Sequence, residues 1–215
     1  MSIEIENKNT RKVLIFLLGL LGLLILVYII AFPIYPELKY RFIAEPTIEE
    51  QITETKRIVE EIKLEEKETI VSKGFPESEY KVSANRLIIA KIGVNAPIVE
   101  TVNEEYGLSQ GAWLMPEGAE PGESGNTIIT GHRFKYLPPN NLTFYLFHKL
   151  AKGDLVYILW DGEEKYYKIE DIKVVEDSDK SILDQGDEEI LTMFTCDPIY
   201  STKERLVVVA KPNIN

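Results

Sequence analysis

The sequence predicts an all-β domain, either a closed barrel or a sandwich, preceded by a membrane-spanning helix and a helical stalk. Three observations lead to this prediction: an uncharged apolar block near the N-terminus, a Glu- and Lys-rich segment after it, and several short apolar runs separated by turn residues. A chain of 215 residues has room for one ordinary domain and an appendage. We therefore expect a cytoplasmic N-terminus (1–12), a transmembrane anchor (13–32), a stalk (33–80) and a barrel domain (81–215).

The membrane anchor is predicted from a run of 20 uncharged residues at 13–32. A helix of this length is about 30 Å long, which matches the hydrocarbon core of a bilayer. A cleaved signal peptide is the alternative, but its cleavage site would need small residues, whereas Tyr28, Ile29 and Ile30 are bulky. The basic residues that precede the run favour a single-pass protein of the cell membrane, with its N-terminus in the cytoplasm and its domain outside.

The stalk is expected to contain a helix over about 47–67. Pro46 stands just before this segment, and its apolar residues Ile48, Ile52, Val59 and Ile62 recur at helical spacing. Packing of this helix on the domain is the simpler interpretation. A self-associating coiled coil is the alternative, although the segment falls short of three or four heptads. Residues 73–76 (KGFP) are predicted to form the hinge into the domain.

The domain itself is predicted from short apolar runs. They lie at 86–92, 126–130, 155–160, 165–172, 190–195 and 205–210. Asp161-Gly162 between two β-rich runs is a strong hairpin signal. Only one segment of the domain, 142–150, is a helix candidate. Many short strands with turns between them favour a barrel or sandwich.

Charge and cysteine content narrow the function. A net charge of −11 argues against a nucleic-acid surface, which needs a basic stripe to neutralise phosphate. The one cysteine, Cys196, leaves no intramolecular disulfide. A free thiol in an exported domain is therefore either buried and inert or retained for its reactivity.

Three residues with complementary chemistry stand at predicted strand ends. His132 follows one strand in TGHR, Cys196 ends another in TMFTC, and Arg205 opens a third in RLVVVA. A histidine can take the proton of a thiol nucleophile, and a guanidinium can stabilise the oxyanion of a tetrahedral intermediate. Each residue also has an ordinary explanation: Cys196 as core filler, His132 as a loop cap and Arg205 as a surface ion-pair partner.

These motifs resemble the signature of the sortase family. TMFTC followed nine residues later by Arg, with an upstream GHR, is similar to Thr-Leu-x-Thr-Cys, a downstream Arg and a Gly-His motif. Residues 147–154 resemble the family's apolar segment that closes in Leu-x-x-Gly-Asp. The likeness covers about 85–211. Met193 stands where the family usually has Leu, a change that conserves volume.

The resemblance implies an eight-stranded β-barrel and a cysteine transpeptidase. Cys196 would attack the threonine carbonyl of an LPxTG-like C-terminal sorting signal on a secreted protein, and an amine of a cell-wall precursor or a pilin lysine would resolve the thioacyl enzyme. His132 would be the acid/base partner and Arg205 the oxyanion stabiliser, while Thr195 would line the site and bind substrate.

Alternatives remain open at this point. A hydrolytic cysteine peptidase would use the same nucleophile with water as the acceptor, and a non-catalytic membrane-anchored binding module would carry a vestigial site. Peptidoglycan L,D-transpeptidases lack support, because no Ser-His-Gly-Cys-like segment occurs. No cofactor is predicted. Ca²⁺ is a lesser expectation, since an acidic segment without EF-hand order contains Asp177, Asp179, Asp184, Asp187, Glu188 and Glu189.

Overall fold

The structure, a computed structural model, describes residues 8–42, 45–72, 85–138 and 140–213. The chain divides into two units, the first ending at Ala44 and the second beginning at Glu45. The hinge expected at 73–76 lies outside the described residues.

The first unit contains helix α1 (Lys8–Phe42). Within it, Thr10–Tyr35 is long and apolar enough to cross a membrane, and the large apolar side chains from Val13 to Tyr28 are exposed. The helix continues to Phe42, so the beginning of the segment assigned to the stalk is helical. Pro33 and Pro36 lie inside this helix, as proline does in many membrane helices.

The second unit opens with helix α2 (Ile48–Ser72), which extends beyond the predicted 47–67. A reciprocal capping box starts it: the Thr47 amide donates to Glu50 Oε2 at 2.7 Å, and the Glu50 amide donates to Thr47 Oγ1 at 3.2 Å. One face of the helix packs on the domain, where its buried side chains meet those of two strands. The members of this cluster are Val59, Ile62, Ile88, Tyr157 and Leu159.

The rest of the second unit is a closed eight-stranded barrel, which confirms the predicted fold class and excludes the sandwich. Its strands are β1 (Arg86–Ile89), β2 (Val94–Glu100), β3 (Ala112–Leu114), β4 (Gly125–Thr130), β5 (Leu155–Trp160), β6 (Glu163–Glu176), β7 (Glu189–Asp197) and β8 (Glu204–Pro212). Their order around the barrel is β1-β2-β3-β4-β7-β8-β6-β5, and β5 pairs with β1 to close it. Closure gives each of these eight strands a paired neighbour on both sides.

Some elements differ from the sequence prediction. Strands β2 and β3 were not expected. Asn95 and Pro97 interrupt the apolar residues of β2, and β3 has only three residues. A short helix, α3 (Glu104–Gln110), was also missed; the Asn103 side chain caps it by accepting from the Tyr106 amide. The helix expected at 142–150 is only a 3₁₀ turn (Tyr145–Lys149), and the stacked rings of Phe144 and Phe147 hold it.

The pairing of β4 with β7 positions the candidate site. These strands are parallel neighbours although β5 and β6 separate them in sequence. All six residues of β4 are buried, including Ile128 and Ile129 in the core. Because parallel strands run in one direction, their carboxyl ends emerge at the same rim of the barrel.

Candidate active site

The register of β4 and β7 brings His132 and Cys196 to one rim at the same height. The last backbone pair of this ladder is Thr130 with Phe194. His132 and Cys196 each lie two residues beyond that pair, on the neighbouring segments that β4 and β7 lead into. β8 then pairs antiparallel with β7 and places Arg205 directly opposite Cys196.

All three residues line a single cleft of about 600 Å³. The remainder of the wall is largely apolar, and its main apolar members are Leu108, Trp113, Met115, Ile182, Leu183 and Phe194. The structure thus brings together the thiol, the imidazole and the guanidinium that sequence reasoning singled out. A nucleophile, a base and a cationic hydrogen-bond donor around one cleft are the parts required for acyl transfer.

Cys196 is partly exposed, so it is not a core filler. It is the last residue of β7 that lines the cleft. Its backbone carbonyl accepts a hydrogen bond from Arg133 Nη1 at 3.0 Å. The sulfur is therefore accessible while the backbone beneath it is held in place.

His132 is half-buried and lines the same cleft. Its carbonyl accepts from the Phe144 amide at 2.9 Å, and its ring meets the Tyr136 ring edge-on with centroids 6.1 Å apart. Burial lowers the pKa of His132 below its ordinary value, and the charge of Lys135 lowers it further, whereas Glu104 acts in the other direction. A lowered pKa keeps the imidazole neutral at pH 7, which is the form that accepts a proton.

Arg205 is held from two sides. Its Nη1 donates to the carbonyls of Thr202 and Glu204 at 2.9 and 3.0 Å, and its Nη2 forms an ion pair with Asp177, the residue that follows β6. Sequence reasoning did not identify Asp177 in this role. These contacts fix the plane of the guanidinium at the edge of the cleft, which favours directional donation to an oxyanion.

Thr195 lies in a different place from the one expected. Its side chain is 1% exposed and is not among the residues that line the cleft. Its hydroxyl donates to the Gly131 carbonyl at 2.7 Å. Because side chains alternate along a strand, a neighbour of the cleft-facing Cys196 points inward. Thr195 therefore ties the segments that carry His132 and Cys196 together from below the cleft.

Arg133 is a second residue that sequence reasoning missed. Its side chain is 3% exposed, and besides the Cys196 carbonyl it forms an ion pair with Asp197. The signal was present in the sequence, since a cation directly follows His132 and an anion directly follows Cys196. Only the strand register shows that these two charges meet.

The connection between β6 and β7 covers one side of the cleft and is tied to β4. The Asn126 side chain donates to the carbonyls of Ile182 and Asp184 at 3.1 and 3.2 Å, and the Asn126 amide donates to Gln185 Oε1 at 2.8 Å. This arrangement presents Ile182 and Leu183 to the cleft.

The acidic residues weighed for Ca²⁺ have protein partners at several positions. Asp179 accepts from the Ser181 amide, Glu188 pairs with Lys211, and Glu189 accepts from the Tyr167 hydroxyl. Within the described part of the chain, no group of three or more His, Cys, Asp or Glu side chains is placed to hold a metal ion.

Comparison with known proteins gives a consistent result. The Sortase domain model matches residues 87–213. The chain is 26% identical to Sortase A of Listeria monocytogenes over 144 residues, covering 66% of this chain and 62% of that protein. It is 30% identical to Sortase D of Bacillus subtilis over 129 residues, covering 58% of this chain and 61% of that protein. The matches thus span less than two thirds of these curated relatives.

Among solved structures, a Sortase D5 transpeptidase of Clostridium perfringens is 30% identical. The superposition has a TM-score of 0.54 and covers 72% of this chain and 99% of the other. Sortase A from Corynebacterium diphtheriae, 26% identical, superimposes with a TM-score of 0.55 over 61% of each chain.

Proposed function

The chain belongs to the sortase family, and from this premise we propose that it is a membrane-anchored cysteine transpeptidase that acts on a C-terminal sorting signal. The observation that carries the proposal is the meeting of Cys196, His132 and Arg205 around one cleft. Family membership supplies the reaction class, and the cleft supplies the three groups that this reaction needs.

The proposed reaction begins when Cys196 Sγ attacks the carbonyl carbon of the signal's threonine. The C–S bond forms as His132 accepts the thiol proton, the carbonyl electrons move to oxygen, and Arg205 stabilises the oxyanion. Collapse of this intermediate breaks the C–N bond, and His132 delivers the proton that the leaving amine requires. The threonine remains attached to the enzyme as a thioester.

The second half of the reaction reverses these roles. An amine on a cell-wall precursor or a pilin lysine attacks the thioester carbon, and His132 accepts the proton that the amine loses. Collapse then breaks the C–S bond, His132 returns the proton to the departing sulfur, and the transferred protein leaves as a new amide while Cys196 is regenerated. No metal or organic cofactor enters either step of the proposal.

The walls of the cleft support a signal of the LPxTG-like type. Trp113, Ile182 and Leu183 give an apolar surface next to the reacting groups. Leucine and proline side chains lose contact with water on such a surface, which favours their binding. We expect the apolar end of the signal to lie here, with its threonine between Cys196 and Arg205.

The proposed location follows from α1 together with the substrates. Thr10–Tyr35 would anchor the chain in the cell membrane as a single pass, with the N-terminus in the cytoplasm. The barrel would then lie outside, where secreted proteins that carry a sorting signal and their amine acceptors are found.

The proposal is tested with the full-length chain in detergent micelles and a labelled LPxTG-like peptide, with and without an amine acceptor. We expect an amide product that requires the amine, and a thioacyl adduct on Cys196 detectable by mass spectrometry. Cys196→Ala serves as the control and should give neither. Cleavage to the free acid at a rate that amine does not change would overturn the transpeptidase assignment in favour of a hydrolase.

A further inference from the structure

The pairing of β4 with β7 continues past its last backbone pair, and side chains carry it. Extending the register of Thr130 with Phe194 by one residue at a time sets Gly131 against Thr195, His132 against Cys196, and Arg133 against Asp197. The proposed catalytic pair therefore occupies one rung, between two others.

Both neighbouring rungs are closed by side-chain bonds. On one side, the Thr195 hydroxyl donates to the Gly131 carbonyl at 2.7 Å. On the other side, Arg133 forms an ion pair with Asp197 and donates to the Cys196 carbonyl at 3.0 Å. The rung between them holds the Cys196 thiol and the His132 imidazole.

We propose that Arg133 and Asp197 are positioning residues that hold Cys196 and His132 in register during attack and proton transfer. This inference rests on the proposed function for the identity of the reaction. The ion pair joins the residue after the base to the residue after the nucleophile. Strand ends that separated by about 1 Å would lose a large part of the rate, because reacting groups must meet at near-contact distance.

Stability alone does not account for this ion pair. The Arg133 side chain is 3% exposed and that of Asp197 is 20% exposed. A buried ion pair often contributes no more to stability than apolar residues of the same volume. The Nε of Arg133 is in addition a buried donor that finds no hydrogen-bond partner among the described residues. A costly and incompletely satisfied pair beside the nucleophile indicates a geometric role.

The charge of Arg133 has a second consequence. The Asp197 carboxylate follows Cys196 directly in the chain, and its ion pair with Arg133 balances its negative charge. Removing Arg133 alone leaves that charge uncompensated next to Cys196. Geometry and charge can therefore be separated by removing the cation alone or both members of the pair.

The test compares Arg133→Met with the double variant Arg133→Met/Asp197→Asn in the full-length chain. The double variant removes both charges and is the one expected to fold well. Lys91→Met is the matched control, since Lys91 is an equally buried cation that pairs with Asp154, and neither residue lines the cleft. The measurements are kcat and KM for peptide transfer, the rate of Cys196 alkylation by iodoacetamide at fixed pH, and the thermal unfolding midpoint.

For both Arg133 variants we expect kcat to fall by about 10²-fold. KM should remain within about twofold of the original, because the contacts that are lost join Arg133 to Asp197 and to the Cys196 carbonyl within the protein. Alkylation should slow in Arg133→Met, where Asp197 is left uncompensated, and recover in the double variant. Lys91→Met should lower the unfolding midpoint and leave kcat and alkylation unchanged.

Normal turnover in the double variant, at a temperature where it is folded, would overturn the positioning role. So would an alkylation rate in Arg133→Met equal to that of the original chain. If the original chain transfers no signal peptide at all, the proposed function fails, while the alkylation pattern still decides whether Arg133 governs the environment of Cys196.

Discussion

Two buried ion pairs occupy different regions of the same barrel and differ in how completely they are satisfied. Lys91 and Asp154 meet at 2.8 Å with side chains 2% and 7% exposed. Arg133 lines the cleft and pairs with Asp197, whose side chain is 20% exposed, and a buried guanidinium nitrogen of Arg133 lacks a partner among the described residues. Similar chemistry is therefore enclosed in one region and open to a cleft in the other.

The enclosed pair is part of the contact between α2 and the barrel. Asp154 also accepts from Gln51 Nε2 at 3.1 Å and from the Ala151 amide at 2.7 Å. Gln51 Oε1 in turn accepts from the Leu155 amide at 3.1 Å. Since both carboxylate oxygens are satisfied, this network fixes a helix on a strand.

The surroundings of a charge pair indicate whether it serves stability or reaction rate. Where every donor and acceptor is matched, the pair joins elements and should affect stability. Where a donor is left over beside a nucleophile, the pair should affect rate. Substitutions at the cleft should therefore lower the rate and leave stability unchanged. Substitutions at the α2 contact should lower stability and leave the rate unchanged.

The largest effect is expected for Cys196→Ala, which removes the proposed nucleophile. Peptide transfer should fall by about 10⁴-fold or more. The unfolding midpoint should hardly change, because the thiol is partly exposed and has a small volume. Transfer assays and thermal unfolding on the same sample measure both quantities. If Cys196→Ala still formed amine-dependent product at a rate near the original, Cys196 would not be the nucleophile.

The next largest effect is expected at the α2 contact, for Asp154→Ala. This change removes the nearer carboxylate from the buried Lys91 ammonium, which keeps its longer ion pair with Glu45, and should cost about 3 kcal/mol of unfolding free energy. The value of kcat should stay the same, since neither residue lines the cleft. Urea unfolding measures the loss. Asp171→Ala breaks the exposed pair with Lys152 and should leave stability unchanged. Equal stability of the two variants would contradict the role of the enclosed pair.

Arg205→Met removes a hydrogen-bond donor at the cleft that is proposed to stabilise the oxyanion of the transition state. We expect kcat/KM to fall by about 10²- to 10³-fold, as for loss of an oxyanion donor. Lys203→Met, an exposed cation of the same hairpin, is the control. A change confined to the unfolding midpoint, with normal kcat/KM, would show that Arg205 serves structure alone.

Asp177→Asn should have a smaller effect, because this carboxylate is more than half exposed in its pair with Arg205. We expect kcat to fall by roughly fivefold, the limit set by a solvent-exposed ion pair. Glu176→Gln removes a neighbouring charge that accepts from the Ser178 hydroxyl and, in the described part of the chain, does not pair with Arg205, so it should retain full activity. Equal losses in the two variants would indicate a general charge effect instead of orientation of Arg205.

The smallest effect is a pH dependence that belongs to the cleft. Because the folded pKa of His132 lies below its ordinary value of 6.5, the unfolded chain binds more protons between the two values. Stability should therefore decline as pH falls from 6.5 through the folded pKa, and base catalysis should weaken over the same range. His132→Gln should reduce this slope in urea unfolding measured against pH. An unchanged slope would assign the dependence to other groups.

Sequence alone located much of the barrel because strong apolar runs are local signals. The run at 155–160 corresponds to β5 residue for residue, and the Asp161-Gly162 signal marks the turn into β6. The three proposed catalytic residues were also identifiable, because they stand at strand ends and carry distinctive chemistry. In contrast, β3 has three residues and no periodicity from which it could be predicted.

The supporting residues could not be predicted, because their roles depend on pairings between distant segments. Arg133 is near Asp197 only through the parallel register of β4 and β7. Asp177 reaches Arg205 only because β6 and β8 are neighbours in the barrel. The burial of the Thr195 side chain could not be predicted either, because family likeness gives a residue's position in the chain without the direction of its side chain.

The equal offset of His132 and Cys196 beyond their shared ladder limits where this chain tolerates insertions. One extra residue within 127–133 or 191–197 would turn every later side chain to the opposite face and separate sulfur from imidazole. Lengthening the β5–β6 turn at Asp161 leaves that alignment intact. A graft into another barrel would therefore have to carry both segments together as one block, with the opposing arginine.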